Sequence, residues 1–269
     1  MAVNTPKFDR RSFLKAGATA VASMAVVGSA AYMLKDKRSL QEKGLLRPPG
    51  SIDEEDFLFA CIKCGLCVQI CPIQAIDLAD WNDGLAYGTP YINADAQACD
   101  FSCDAIQCAE TCPTAAIDFK IFKKAGNEAV SALYAKYDNH LPEGVNPFST
   151  QIDAMKRAGK MGIAEMADTG SCLAHQGKGY EGVIGRGQKA LLRPPGEKER
   201  VVISQTKVQR ELCDLCVTYC PLGEDAIVMG KDSSGKFLPE IKDACVGCGV
   251  CQMVCPTNPV SIVVKPKES

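Results

Sequence analysis

CIKCGLCVQICPIQAI, residues 61–76, places cysteines at 61, 64, 67 and 71 with Pro72 directly behind the last. Three thiolates at i, i+3 and i+6 on a tight loop can face one polynuclear metal core, while the fourth begins a helical turn and points away toward a second core. Pro72 fixes φ and has no N–H, so the chain turns off after that cysteine. Gly65 follows the second cysteine, where the missing Cβ lets the backbone pass close to sulfur.

Working outward, the unit recurs as CDFSCDAIQCAETCPTAAI (99–117), CDLCVTYCPLGEDAI (213–227) and CVGCGVCQMVCPTNPVSI (245–262). Each passes through Cys-Pro, at Pro113, Pro221 and Pro256, into a short apolar stretch. The fourth unit, Cys245, Cys248, Cys251 and Cys255, keeps the spacing of the first and repeats its glycine as Gly249. The second, Cys99, Cys103, Cys108 and Cys112, has one extra residue in its first gap and two in its second, which loops can absorb. The third offers Cys213, Cys216 and Cys220 in the second, third and fourth positions and lacks a first. Cys172 is the one cysteine of sixteen left over. A loop of forty residues adds little closure entropy, so Cys172 is assigned to the vacant position; the alternative is a buried free thiol.

Four ligand sets of four imply four [4Fe-4S] clusters, with all sixteen cysteines as iron ligands. Structural zinc shares the C-x-x-C pairs but leaves the third cysteine and the trailing Cys-Pro unexplained. The fold that follows is α+β: tandem bacterial-type ferredoxin modules of two [4Fe-4S] sites each, with short strands, helical insertions and long loops. Along the chain this gives a signal or anchor at 1–30, an extended linker at 31–56 and repeats 1 and 2 at 57–122. A helical and loop insertion carrying Cys172 follows at 123–200, then repeats 3 and 4 at 201–265. Two regular units, the first and fourth, enclose two irregular ones, which favours nested pairing of 1 with 4 and 2 with 3. Against this, LLRPPG occurs at 45–50 and again at 191–196, as though each half had its own introduction; as Pro-Pro segments both copies read as extended connectors.

The balance of 46% hydrophobic and 23% charged residues is ordinary for a globular chain. With only 6% aromatic content, bulky side chains cannot dominate the core, a gap that inorganic cores would fill. Lys7, Arg10, Arg11 and Lys15 against Asp9 give the first thirty residues a surplus of three positive charges, so a net −2 leaves −5 on the remainder. Four oxidised clusters at −2 each would take that to about −13, a field suited to basic docking partners; no basic patch for nucleic acid is present.

DRRSFLK (9–15) sets Arg10 and Arg11 before Phe13 and Leu14, ahead of an uncharged run from Ala16 to Leu34. This is similar to a twin-arginine export signal, with Gly28 and Ala30 as small residues for cleavage before Ala31. The other reading is a retained anchor, since nineteen uncharged residues can just span a bilayer. Such signals carry proteins already folded and loaded, which removes the argument that an oxidising compartment would turn sixteen cysteines into eight disulfides.

Between the repeats, AGNEAVSALYAKYD from Ala125 reads as a helix with Asn127 as its cap, and STQIDAMKRAGKMGIAEMAD from Ser149 as a second helix. The Gly-rich, basic stretch 170–196 reads as a solvated surface loop, with docking as its alternative use. GKDSSGK from Gly230 reads as a turn between two short strands. His140 and His175 lie outside any metal-ligand spacing and read as surface residues. No phosphate loop, dinucleotide fingerprint, nucleophile elbow or acid–base carboxylate pair stands out, so the chain reads as a carrier without a substrate site.

The twin-arginine start, LRPPG (46–50) ahead of the first unit, YGTPY (87–91) and KFLPEIKDACVGCG (236–249) together resemble the NapG/MauM family of ferredoxin-type proteins, over most of residues 8–265. The resemblance implies an exported, periplasmic and membrane-associated protein with four [4Fe-4S] clusters. Its implied partners are a NapH-type membrane quinol dehydrogenase on one side and a c-type cytochrome or molybdenum reductase on the other. Other members accompany methylamine oxidation. The stretch from Cys172 to Cys213 is longer than the link expected in that family. The leading function is a one-electron relay, an electron-transfer subunit rather than an enzyme, held at the membrane by its partner or by an uncleaved N-terminus. Two other readings stand beside it: the electron-transfer subunit of an exported molybdoenzyme, and a maturation factor for an exported redox enzyme.

Overall fold

The apolar stretches behind the Cys-Pro pairs are too short for stable helices and suit small antiparallel ladders. A computed structural model describes residues 44–104, 106–185 and 190–267. The twin-arginine start and the question of cleavage or anchoring lie outside these residues. From Leu45 onward the chain forms one compact unit of α+β class, its ladders two-stranded and antiparallel. Among the described residues no helix is long and apolar enough to cross a membrane.

In the first half, α1 (Glu54–Ala60) leads into repeat 1, whose third cysteine rides on α2 (Leu66–Ile70). Strands β1 (Ile76–Leu78) and β2 (Pro90–Ile92) pair as a hairpin, and α3 (Gln107–Glu110) carries the third cysteine of repeat 2. A bridge between Ser51 and Ile117 ties the segment before repeat 1 to the segment after repeat 2. Two helices, α4 (Lys120–Lys136) and α5 (Pro147–Ala158), then lead to β3 (Gly162–Met166). Next come β4 (Tyr180–Val183), β5 (Leu191–Leu192), β6 (Val201–Val202) and β7 (Lys207–Arg210); β4 pairs with β7 and β5 with β6. Helix α6 (Leu215–Thr218) carries Cys216, β8 (Ile227–Lys231) and β9 (Phe237–Ile241) make a hairpin, and α7 (Val250–Val254) carries Cys251. Strand β10 (Ile262–Pro266) returns to β3, with Ile262 opposite Met166 and Pro266 opposite Gly162. Both halves thus follow one plan of lead-in, repeat, hairpin, repeat and closing segment.

Several expectations change here. The first inserted helix starts at Lys120, so Asn127 is interior and caps nothing. The second is capped by Asn146, whose side-chain oxygen accepts the Phe148 N–H at 2.9 Å, and it ends at Ala158 instead of running to Asp168. Gly159 disfavours a further turn, and the residues beyond it gain more as β3, where β10 and the Val246 carbonyl take their backbone groups. The turn from Gly230 lies where expected, between β8 and β9, closed by Asp232 accepting the Ser234 and Lys236 N–H groups.

The stretch 170–196 is not a solvated loop. Ile184 and Leu192 are fully buried, and the segment reaches back to repeat 2. Gln97 exchanges two side-chain hydrogen bonds of 2.7 Å with the Leu191 backbone, and Asp100 accepts the Arg193 N–H at 2.7 Å. The Arg193 guanidinium pairs with Asp104 at 2.6 Å, holding that carboxyl below its usual range. His175, read as a surface residue, is mostly covered and has its Nε2 2.9 Å from Asp232 Oδ2. The first LLRPPG copy is equally anchored. Arg47, only 7% exposed, pairs with Glu54 at 2.5 Å, donates to Thr89 Oγ1 and the Pro90 carbonyl, and lies 4.7 Å over the Phe57 ring. Neither copy is a free connector: both arginines, Arg47 and Arg193, pair with carboxylates of the first half.

Candidate metal centres

The short helices aim the thiols. Gly65 (φ 74°) and Gly249 (φ 88°) precede α2 and α7 in the left-handed region, where an L side chain is strained. The loop before each glycine is thereby bent sharply into a helix whose first turn carries the third cysteine, Cys67 or Cys251. Sulfur is not what either glycine makes room for. A Cβ on Gly249 would stand 2.6 Å from Ala94 Cβ, whereas a Cβ on Gly65 would meet nothing within 4 Å. In repeat 2 the same turn is made by Ile106 (φ 51°). The fourth cysteine of repeats 1 and 4 sits at the helix end in extended conformation, its N–H satisfied by Val68 or Gln252, so that its side chain leaves on another side.

The sixteen thiols are free and fall into four sets. Set 1 comprises Cys61, Cys64, Cys67 and Cys112, which line one cleft with Phe57, Ile62 and Leu66. Set 4 comprises Cys245, Cys248, Cys251 and Cys220, in a cleft with Ala164, Ile227 and Ile241. Set 3 comprises Cys213, Cys216, Cys255 and Cys172, beside Leu215, Pro239 and Ile262. Cys99, Cys103, Cys108 and Cys71 make set 2: desolvation pushes the Cys108 thiol well up, and Cys103 and then Cys71 add to it. Each set therefore joins three positions of one repeat to the Cys-Pro cysteine of another. The partners are repeat 1 with 2 and repeat 3 with 4, so the nested pairing is corrected. Regularity of spacing did not predict partnership, because each hairpin, β1–β2 or β8–β9, folds consecutive repeats onto each other. Cys172 completes set 3 from beyond the forty-residue insertion; β4 and β7 close that loop, and the Cys213 N–H donates to the Lys178 carbonyl at its base.

The environment is apolar and rich in donors. Desolvation pushes Cys67 and Cys213 up to about 11 and raises Cys99, Cys216, Cys248 and Cys251 further. Opposing this, backbone N–H groups point at sulfur: Val68 at Cys67, Phe101 at Cys99, Leu215 at Cys213 and Val250 at Cys248. The Ala75 N–H donates to Cys71 Sγ at 3.3 Å, and Thr257 Oγ1 lies 3.2 Å from Cys255 Sγ. Among the described residues, no three His, Cys, Asp or Glu side chains converge closely enough for a single metal ion. A lone tetrahedral zinc at about 2.3 Å from each sulfur needs such convergence, whereas a cubane keeps its four ligands apart. Thiols spread around such clefts, with N–H groups directed at them, fit an iron-sulfur core. Cys64 is the one exposed cysteine, and of the residues lining the set 1 cleft Ile62 (62% exposed), Leu78 (46%) and Leu66 (41%) also face solvent. Sequence spacing gave no sign of this apolar rim, which the repeat 1 loop and β1 make together.

Comparison with known proteins agrees. The 4Fe-4S dicluster domain model matches residues 60–127 and 210–259; Cys172 lies outside both matches. Ferredoxin-type protein NapG of Escherichia coli K12 is 29% identical, over 97% of this chain and 87% of its own length. The methylamine utilization ferredoxin-type proteins MauM of Methylorubrum extorquens and Paracoccus denitrificans are each 27% identical over 97% of this chain, and over 90% and 89% of their own. No solved structure matches the chain. Matched twice by the dicluster domain, the chain is similar along nearly its whole length to the NapG and MauM ferredoxin-type proteins.

Proposed function

We propose that the chain is a periplasmic one-electron relay in which two ferredoxin modules in tandem hold four [4Fe-4S] clusters on the sixteen cysteines. The observation that carries this reading is the exchange of Cys-Pro cysteines, through which Cys71 and Cys112, and Cys220 and Cys255, each serve the set of the partner repeat. Two-cluster ferredoxins are ligated in that way. Bound there, the clusters supply sites that take up and release one electron at potentials between about −700 and +450 mV. The protein does the rest. Its desolvated thiols give up protons as iron binds. The N–H groups at Cys67, Cys99, Cys213 and Cys248 offset the negative charge gained on reduction, which raises the potential. The apolar linings keep water from the sulfurs.

The similarity to NapG and MauM, together with the acidic balance of the chain beyond its first thirty residues, supports partners on either side of the relay. These are a quinol-oxidising membrane protein of NapH type and a c-type cytochrome or molybdenum reductase. The twin-arginine start supports export in the folded, loaded state. Iron and sulfide analysis tests the cluster assignment: about sixteen of each per chain, falling to about twelve in Cys172→Ala. A Cys172→Ala chain that keeps sixteen iron atoms refutes the set 3 assignment. Deleting the protein distinguishes relay from maturation factor, because loss of a relay spares the client enzyme's activity with an artificial electron donor.

A further inference from the structure

Resting on the relay reading above, the geometry points to a single file of redox sites in the order set 1, set 2, set 4, set 3, with sets 1 and 3 at the two ends. Within each half, neighbouring sets are tied twice through one helical turn. Cys67 of set 1 and Cys71 of set 2 are four residues apart across the end of one short helix, and so are Cys108 of set 2 and Cys112 of set 1. Cys216 with Cys220 and Cys251 with Cys255 do the same for sets 3 and 4. Between the halves the join is made by the inner sets. The Cys99 N–H of set 2 donates to the Cys248 carbonyl of set 4 at 3.1 Å, so a ligand residue of one half touches a ligand residue of the other through one hydrogen bond.

The surroundings clamp that contact. The Ala98 N–H donates to Met253 Sδ at 3.2 Å, Gln252 donates to Asp95 at 3.0 Å, and Gly249 faces Ala94 with no room for a Cβ. Among the described residues no hydrogen bond joins a cysteine of set 1 or set 3 to a cysteine of the other half. Each hop along the file oxidises one site by one electron and reduces the next by one; no bond breaks and no proton moves. In this order an electron crossing between the halves passes through sets 2 and 4. Set 1, with the exposed Cys64, is an outward-facing end.

The test reads magnetic coupling, not turnover. The full chain, reconstituted with iron and sulfide, is reduced anaerobically with excess dithionite, and electron paramagnetic resonance records which reduced clusters broaden and relax one another. Set 2 is emptied by Cys103→Ala and independently by Cys71→Ala, so that a folding defect at one position does not decide the outcome. Set 1 is emptied by Cys64→Ala. Iron analysis confirms the loss of a quarter of the metal in each. Emptying set 2 is expected to leave one third of the remaining spins with an uncoupled spectrum, and emptying set 1 is expected to leave none. An uncoupled third after emptying set 1, or three mutually coupled clusters after emptying set 2, overturns the order. Failure of the relay reading is separable, because an unsubstituted chain that binds fewer than four clusters shows it in the iron count before any spectrum is taken.

Discussion

Replacing either of the two helix-leading glycines by alanine separates backbone strain from packing at the junction of the halves. Both have positive φ, 74° at Gly65 and 88° at Gly249, so each alanine incurs the left-handed penalty of about 1–2 kcal/mol. At Gly65 nothing lies within 4 Å of the new methyl, and that penalty is the whole cost. At Gly249 the methyl meets Ala94 Cβ at 2.6 Å and Ala98 Cβ at 3.4 Å, both on the segment leading to Cys99. Overpacking adds about 1–3 kcal/mol, giving roughly 2–5 in total. Anaerobic guanidinium titration of the loaded protein, followed by visible absorbance and far-ultraviolet circular dichroism, measures both variants against the parent. Gly249→Ala should lose more than Gly65→Ala by about 1–3 kcal/mol, and it alone should weaken magnetic coupling between the halves. Equal losses, or a larger loss at Gly65, would refute the claim that Ala94 and Ala98 are pressed against repeat 4.

Arg47→Ala should lower stability by about 2–3 kcal/mol, below the full cost of breaking a buried pair because Glu54 keeps a third of its side chain in solvent; Arg47→Lys should recover less than half, lacking the planar fork that serves Glu54, Thr89 and Pro90 together. Denaturant midpoints check both. Leu192→Ala removes a fully buried side chain at the tip of the insertion, for about 2–4 kcal/mol, and should speed hydrogen exchange at the Leu191 and Arg193 amides before the rest of the unit. Thr257→Val removes a hydroxyl 3.2 Å from Cys255 Sγ and should lower one reduction potential by on the order of tens of millivolts in a redox titration, leaving the other three in place.

What could be read from residue order was whatever depends on local spacing. The C-x-x-C-x-x-C-x-x-x-C-P pattern carries its own geometry, and so does the Asp-Ser-Ser-Gly turn after Gly230, which needs only its own side chains to close. The pairing of repeats was not legible, because it depends on hairpins between consecutive repeats and not on how alike two repeats are. The helical reading runs past the end of α5 because Ile163 and Met166 continue the face of Ile152 and Met155 at helical spacing; strand β10, almost a hundred residues later, supplies the competing ladder. The stretch 170–196 reads by composition as a solvated surface loop, yet burial of Ile184 and Leu192 decides its place. Its polar residues act as ties: Arg193 to Asp104, and the Leu191 backbone to Gln97.

The exchange of Cys-Pro cysteines also fixes when each site can be completed as the chain is made from its N-terminus. Sets 1 and 2 have all their thiols once Cys112 has been synthesised, with more than half of the chain still to come. Set 4 waits for Cys251 and set 3 for Cys255. Cys172 is therefore made early and used last, and the forty residues that follow it lie down on a repeat 2 loop whose thiols are already present. The first half can serve as a finished template on which the second is assembled, so a chain stalled or truncated before residue 251 would carry two complete sites and none beyond them.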